Sequence, residues 1–119
     1  MATVAGISFG RQEQQALAAF AARMRARYGD RFGGLIVFGS RARRDHRPDS
    51  DLDVAVVLAS PIDSVVEEAL AMADDAFDVL LEHDLHIQPM PIEDGSLERP
   101  EAHPTPHLTR RIAREGVRV

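Results

Sequence analysis

The sequence predicts an α/β (α+β) fold, in which a small mixed β-sheet of three or four strands is flanked by helices and residues 1–119 form one domain. Two short apolar runs rich in β-branched residues, at 35–38 and 54–58, are bounded by glycine, proline and aspartate, as strands are. Longer segments at 12–28 and 62–82 repeat apolar residues at helical spacing. Hydrophobic residues make up 45% of the chain, which is enough to build a core around such a sheet.

A third strand is predicted at residues 85–91, which are followed by a polar loop at 93–104. Pro89 and Pro91 cannot donate hydrogen bonds to a neighbouring strand, so this strand belongs at an edge of the sheet.

A helix is predicted at residues 12–28, and Gly29 ends it. Its apolar positions fall at helical spacing: Leu17, Phe20, Ala21, Met24 and Tyr28. A short final helix is predicted at residues 106–113, and the tail at 117–119 is expected to add an apolar contact.

The longest helix is predicted at residues 61–82, with Ser60 as its N-cap and Pro61 at its first position. Its apolar residues recur at helical spacing: Ile62, Val65, Val66, Ala69, Leu70, Ala73, Phe77 and Leu80. Such a stripe is typical of a helix that packs on a core. The acidic residues of the helix are expected to form a solvated face: Glu67, Glu68, Asp74, Asp75 and Asp78.

Composition and charge exclude several classes of protein. The formal net charge of −5 argues against binding nucleic acid through overall charge, and we expect no direct nucleic-acid binding. The absence of cysteine excludes disulfides and thiol catalysis, and all 14 basic residues are arginine, which excludes a Walker-type lysine. No long apolar run or secretory signal is found, so we expect a cytoplasmic protein with no membrane contact.

Asp51 and Asp53 open the second strand, and alternation of side chains along a strand places them on the same face. Two neighbouring carboxylates repel each other unless a cation lies between them. Oxygen ligands of this kind suit Mg²⁺, which proteins usually hold with one or two carboxylates plus substrate phosphates. The pair therefore predicts a magnesium site.

A Gly39-Ser40 turn ends the first strand. Glycine lets the backbone come close to a ligand, a helix that begins just after it would direct N–H groups at an anion, and the Ser40 hydroxyl adds a donor. Arg41 adjoins this turn, and its planar guanidinium suits phosphate oxygens, although solvated loop charge is the alternative for every arginine of residues 41–50. A phosphate-binding turn beside a metal pair predicts a site for a nucleoside triphosphate.

The combination of Gly39-Ser40 with Ser50-Asp51-Leu52-Asp53 resembles the signature of the DNA polymerase β-type nucleotidyltransferases. In its compact length and spacing the chain is similar to the minimal nucleotidyltransferases, many of which are antitoxin partners of HEPN-domain toxins. The resemblance implies a nucleotidyltransferase-like palm fold and transfer of AMP from ATP, with Mg²⁺, to a tyrosine hydroxyl of a HEPN-type toxin.

By this resemblance the nucleotide is held by four residues: Gly39, Ser40, Arg41 and Ser50. For the Gly-Ser turn and the carboxylates to meet at one site, the first two strands must run antiparallel. The family commonly has glycine at the position of Arg44, which leaves the shape of the connector at 41–50 open.

The third catalytic position departs from the family, which usually places a third carboxylate on the third strand. The matching residue here is His86, assigned to the catalytic set with Asp51 and Asp53, and it shares a strand face with Gln88. Three interpretations stay open. His86 serves as metal ligand or as catalytic base, Asp84 substitutes for the third carboxylate, or the enzyme is weak.

Two further functions stay open beside the transferase. One is an antitoxin that neutralises its partner by binding alone, with a vestigial nucleotide site, which the missing third carboxylate favours. The other is transfer to a small molecule such as an aminoglycoside. The short length of the chain argues against this function, because no second domain is evident to hold such a substrate.

Overall fold

The computed structural model describes residues 3–4, 7–103 and 105–119 of the chain. Two short strands, β1 (Thr3–Val4) and β2 (Ile7–Ser8), pair antiparallel ahead of the main sheet. The main sheet consists of β3 (Phe32–Phe38), β4 (Leu52–Leu58), β5 (Ile87–Glu93) and β6 (Val117–Arg118). These strands lie in the order β5-β4-β3-β6. β3 runs antiparallel to β4 and to β6, whereas β4 and β5 are parallel.

The mixed four-stranded sheet and the antiparallel β3–β4 pair confirm the predicted fold class. β3 and β4 each begin a few residues before the predicted strands. β5 pairs with β4 alone, so the edge position required by Pro89 and Pro91 is also confirmed. This strand begins at Ile87, two residues later than predicted, so His86 lies just before it.

The C-terminal tail forms a strand where only an apolar contact was expected. In β6, Val117 pairs with Val37 and Arg118 with Ile36, and the sheet thereby gains its fourth strand. Without this pairing the edge of β3 would expose unpaired backbone groups.

Among the described residues, four α-helices complete the fold: α1 (Arg11–Tyr28), α2 (Ser40–Arg43), α3 (Val65–His83) and α4 (Pro106–Glu115). Side chains alternate along the strands, so the sheet has two apolar faces. The α1 and α3 face buries, among others, Phe20, Met24, Leu35, Val37, Val54, Met72 and Ala76. The opposite face packs under α4 with Ile36, Phe38, Ala55, Val57, Ile92 and Ile112. Within the described residues, none of the helices is long and apolar enough to cross a membrane.

The start of α3 corrects the predicted N-cap. Ser64 is the N-cap, because its hydroxyl accepts a hydrogen bond from the backbone N–H of Glu67 at 3.2 Å. The backbone N–H and hydroxyl of Ser60 both donate to Asp94 instead, at 3.1 and 2.7 Å. Ser60 therefore links the segment after β4 to the loop after β5.

The rotation of α3 about its axis also corrects the prediction. The residues of α3 that are buried include Met72, Ala76 and Val79, whereas Val66, Leu70 and Phe77 of the predicted inner stripe are exposed. Asp75, expected to be solvated, is buried as well.

The physical reason lies in the contact between α3 and α1. Arg27 Nε donates to Asp75 Oδ2 and Arg23 Nη1 donates to Asp78 Oδ2, both at 2.8 Å. The acidic side of α3 must therefore face α1, and this turns the stripe that contains Val66 and Leu70 away from the sheet.

Candidate active site

The antiparallel register brings the two predicted motifs together. Phe38, the last residue of β3, pairs with Asp53 of β4, so the Gly39-Ser40 turn leaves the sheet beside the carboxylates. The carbonyl of Gly39 accepts hydrogen bonds from the N–H groups of Ala42 and Arg43, which starts α2 directly after the strand. The sequence-predicted juxtaposition of turn and carboxylates is thus present.

Gly39 allows the Asp53 carboxylate to lie against the backbone. Its φ is +75°, a conformation that favours glycine, and a Cβ added to it would overlap Oδ2 of Asp53. The close approach is therefore possible only because no side chain is present at position 39.

Asp53 is in an environment that disfavours its charge. The pKa of Asp53 is raised, first because burial removes water from the carboxylate and then because Asp51 repels it, while Arg111 and Arg43 partly offset these effects. Asp51 is more exposed, with 49% of its side-chain surface accessible. A half-buried carboxylate beside a second one is a pair that a cation would stabilise.

The donor chemistry of this pair fits Mg²⁺. Within the residues that the structure describes, no group of three or more acidic, histidine or cysteine side chains is arranged to hold a metal ion. Two carboxylates nevertheless suffice for an ion that takes its remaining oxygens from substrate phosphates and water. Asp51 and Asp53 are the residues that would hold it.

His86 lies next to Asp51, as the comparison with the family pattern anticipated. Its Nδ1 is 3.3 Å from Asp51 Oδ1, and its carbonyl accepts a hydrogen bond from the N–H of Leu52 at 2.9 Å. The predicted alternation is confirmed, because Leu85 and Ile87 are buried while His86 is half-buried. A groove of about 390 Å³ runs past these groups, lined by Pro48, Asp49, Ser50, Asp51, Leu80, Asp84, Leu85 and His86.

Arg41 is engaged inside the protein in this structure. Its Nη1 donates to Glu13 Oε2 at 2.9 Å, and both side chains are only 5% exposed. Its Nε and Nη2 donate to the carbonyls of Ser50 and Pro48 at 2.9 and 3.2 Å. Arg41 therefore links the start of the connector at 41–50 to its end. Contact with a phosphate would require the Arg41 side chain to leave Glu13.

Ser50 has a similar local role. Its hydroxyl accepts a hydrogen bond from the N–H of Arg47 at 2.9 Å, and its N–H donates to the Arg47 carbonyl at 3.0 Å. These bonds close the turn that precedes Asp51. The assignment of Arg41 and Ser50 to nucleotide binding stays a prediction.

The sequence of residues 18–116 matches the family model of the nucleotidyltransferase domain. The chain belongs to this family. No curated protein is similar enough in sequence to match this nucleotidyltransferase domain.

Three of the solved structures with a similar fold are two toxin–antitoxins and a nucleotidyltransferase. A toxin–antitoxin crystallised with AMP-PNP is 15% identical with a TM-score of 0.55, over 83% of this chain and 68% of that one. A mutant of the MntA–HpeT toxin–antitoxin is 14% identical with a TM-score of 0.52, over the same shares. A candidate nucleotidyltransferase from Sulfolobus solfataricus is 17% identical with a TM-score of 0.50, over 95% of this chain and 90% of that one. The predicted nucleotidyltransferase-like fold is confirmed.

Arg44 occupies the connector position where the resemblance leads one to expect glycine. Its φ is +63° and ψ is +28°, the left-handed conformation that glycine adopts without strain. The Arg44 Nη1 donates to both carboxylate oxygens of Glu13 and to the Arg41 carbonyl, at 2.9 to 3.1 Å. The backbone of this nucleotidyltransferase domain thus keeps the shape that glycine would give, and these bonds hold the larger residue there.

Two charged residues near Asp53, Arg111 and Glu115, were missed by the sequence analysis. Glu115 accepts hydrogen bonds from Arg43 Nη1 at 2.8 Å and from Arg111 Nε at 2.9 Å, and the Arg111 guanidinium lies 5.5 Å from the centre of the Phe38 ring. Burial opposes ionisation of Glu115, but the two arginines outweigh it and lower its pKa. The four-residue spacing of Arg111 and Glu115 was the available signal, because it predicts an ion pair on a helix.

The space over Gly39 gives a first testable prediction. We expect Gly39→Val to abolish ATP binding, because the new side chain displaces Asp53, whereas Ser40→Ala removes one hydrogen bond and weakens binding about tenfold. Calorimetric titration with ATP and Mg²⁺ measures both.

The matched control is Gly95→Val. Gly95 also has a positive φ, +86°, but a Cβ there meets nothing closer than 4.0 Å. It therefore reports the effect of backbone strain without a collision. Normal ATP binding by a folded Gly39→Val variant would contradict the close approach.

Proposed function

We propose that this nucleotidyltransferase domain transfers AMP from ATP, with Mg²⁺, to a tyrosine hydroxyl of a HEPN-type toxin, and so acts as a cytoplasmic antitoxin. The observation that carries the proposal is the packing of Asp53 against Gly39, by which the carboxylate pair lies beside the turn that we predict to bind phosphate. The similar folds of two toxin–antitoxin proteins, one crystallised with AMP-PNP, support the choice of partner and nucleotide.

The residues of the site divide into binding and charge-balancing groups. The Ser40 hydroxyl, at the start of α2, would donate to a phosphate. Arg43 and Arg111 supply positive charge beside Asp53, and both donate hydrogen bonds to Glu115. When bound at Asp51 and Asp53, Mg²⁺ would neutralise charge on the phosphate oxygens.

The proposed reaction is a displacement at phosphorus. The acceptor oxygen bonds to the α-phosphorus of ATP, the bond from that phosphorus to the bridging oxygen breaks, and pyrophosphate leaves. The hydroxyl proton goes to water or to His86, whose ring lies at the rim of the groove beside Asp51.

The role of His86 gives a second prediction. We expect His86→Asp to keep or raise the transfer rate, because it places a carboxylate where the related enzymes have one. We expect His86→Ala to leave measurable transfer, because water can accept the proton. His83→Ala is the control, since His83 does not line the groove. Complete loss in His86→Ala, equal to that of Asp53→Asn, would mean that His86 is the base and would refute this prediction.

Labelled nucleotide tests the proposed reaction directly. The purified chain is incubated with Mg²⁺, with ATP labelled at either the α- or the γ-phosphate, and with the protein encoded in the neighbouring reading frame, which the proposal expects to be of the HEPN type. We expect α-label on the HEPN protein, with a mass increase of one AMP on a tyrosine, and no γ-label. Transfer of the γ-label or of neither label would overturn the proposal.

An antitoxin that acts by binding alone is the second candidate, and one observation favours it. The position of the family's third carboxylate holds His86, so the described residues offer only two carboxylates for metal. The double variant Asp51→Asn, Asp53→Asn separates the two functions. If it still neutralises the toxin in cells, binding suffices; if toxicity returns, transfer is required.

A further inference from the structure

Helix α3 carries an apolar stripe on the face that points away from the domain. The stripe consists of four residues with most of their surface accessible: Val66 (69%), Leu70 (66%), Phe77 (55%) and Leu81 (69%). Their spacing places them along one side of a helix of five turns. We call these four residues the α3 stripe. A row of large apolar side chains of this kind marks an interaction surface in a soluble protein.

The stripe cannot be buried by rotation of the helix. The opposite side of α3 holds Met72 and Val79 in the core, and Asp75 and Asp78 are bonded to arginines of α1. Turning the stripe inward would break these ion pairs and expose the core residues. The domain therefore folds with the stripe outward, where it is accessible to a second molecule.

The stripe leads to the candidate active site. Leu80, the neighbour of Leu81 and one turn beyond Phe77, lines the groove that contains Asp51 and His86. A protein that covers the C-terminal part of the stripe therefore lies beside the groove that contains Asp51. This is the position that an acceptor hydroxyl must reach.

Charge next to the stripe indicates the chemistry of the partner. Along α3 the flank of the stripe that turns toward α1 is acidic: Glu67, Asp74, Asp78 and Glu82. Arg23 contacts Asp78 and Glu82, whereas Glu67 and Asp74 are exposed nearer the stripe. Two copies of this chain, each with a net charge of −5, would bring such acidic flanks together. A basic partner would instead be attracted.

We propose that the α3 stripe is the docking surface for the toxin partner, which covers it with a helix whose apolar side chains are flanked by arginine or lysine. This inference rests on the proposed function and names the surface through which the acceptor protein is held. The apolar contacts supply affinity and the acidic flank supplies orientation.

The test compares three variants for binding to the toxin partner, which the proposed function expects to be a HEPN-type protein encoded in the neighbouring reading frame. Leu70→Ser with Phe77→Ser removes the middle of the stripe, and we expect its dissociation constant to rise about tenfold or more. Glu67→Arg with Asp74→Arg reverses the flank and is expected to slow association, with an effect that salt reduces. Val119→Ser is the matched control, an exposed apolar residue away from α3.

ATP binding by the same variants separates this inference from the proposed function. We expect it to be unchanged, because the substituted side chains do not line the groove. Equal dissociation constants of the stripe variant and the unsubstituted chain for the HEPN protein would overturn the docking surface. That result would not affect the transferase proposal. If the chain without substitutions binds the HEPN protein through the stripe but transfers no nucleotide to it, only the transferase proposal would be overturned. Self-association that the Leu70→Ser, Phe77→Ser variant abolishes would make a second copy the occupant and overturn the inference.

Discussion

Replacing Asp51 and Asp53 together by asparagine is expected to weaken magnesium-dependent ATP binding by about 100-fold or more. Substitution of residues that only support the ligands of a metal already lowers metal affinity by about 10- to 100-fold, and these two residues are the proposed ligands themselves. Asparagine keeps the shape of each side chain and removes both charges. Burial raises the pKa of Asp53, so its ionised form is disfavoured in the folded protein. The loss of that charge therefore does not destabilise the fold.

Calorimetric titration with ATP, in Mg²⁺ and again in EDTA, measures this effect. Asp49→Asn is the matched control, because Asp49 lines the same groove but precedes the Asp51-Leu52-Asp53 motif. It is expected to bind ATP normally. Unchanged affinity of the double variant in Mg²⁺ would refute the metal-site assignment.

Glu13→Ala is expected to destabilise the protein by about 3–5 kcal/mol, the usual cost of leaving a buried charge without its partner. Glu13 accepts hydrogen bonds from Arg41, from Arg44 and from the N–H of Gly10 at the start of α1. Its removal leaves the buried guanidinium of Arg41 uncompensated. Urea denaturation measures the change.

Asp45→Ala provides the comparison for Glu13→Ala. Asp45 pairs with Arg43 at 3.1 Å, but both side chains are about half exposed, so the expected cost is below about 1 kcal/mol. Equal destabilisation by the two substitutions would mean that the buried cluster does not anchor the connector.

The pH dependence of stability gives a second readout for the same cluster. Although burial opposes ionisation of Glu13, its hydrogen bonds from Arg44, Gly10 and Arg41 lower its pKa in the folded state. The resulting stability is present in full above the unfolded-state pKa of glutamate and is lost as the pH falls through the lower, folded-state value. We expect this acid-side loss to be smaller in Glu13→Gln.

Local patterns allowed much of the fold to be predicted. β-Branched residues between chain-breaking ones defined the central strands, and proline placed β5 at the edge. The Gly39-Ser40 turn and Asp51-Leu52-Asp53 were recognised because each depends on backbone conformation and alternation over a few residues. The antiparallel arrangement that brings these two motifs together was predicted from the requirement that both contribute to one site.

Contacts distant in sequence decided the rest. Arg41 adjoins the turn and carries the right charge for a phosphate, yet Glu13, which lies 28 residues away along the chain, holds it in the interior. Arg111 and Glu115 reach Asp53 only because β6 pairs with β3 and brings the end of α4 to the site. A short strand such as β6 has no clear pattern of its own.

The sequence by itself determined where the three long strands and the long helices lie and which residues form the carboxylate and turn motifs, since these depend on periodicity and on local backbone preference. The tertiary structure alone decided which side of α3 meets the sheet. The helix has two apolar stripes, and periodicity does not distinguish them. The ion pairs of Asp75 and Asp78 with α1 do, because they fix the rotation of the helix and leave Leu70 and Phe77 in solvent.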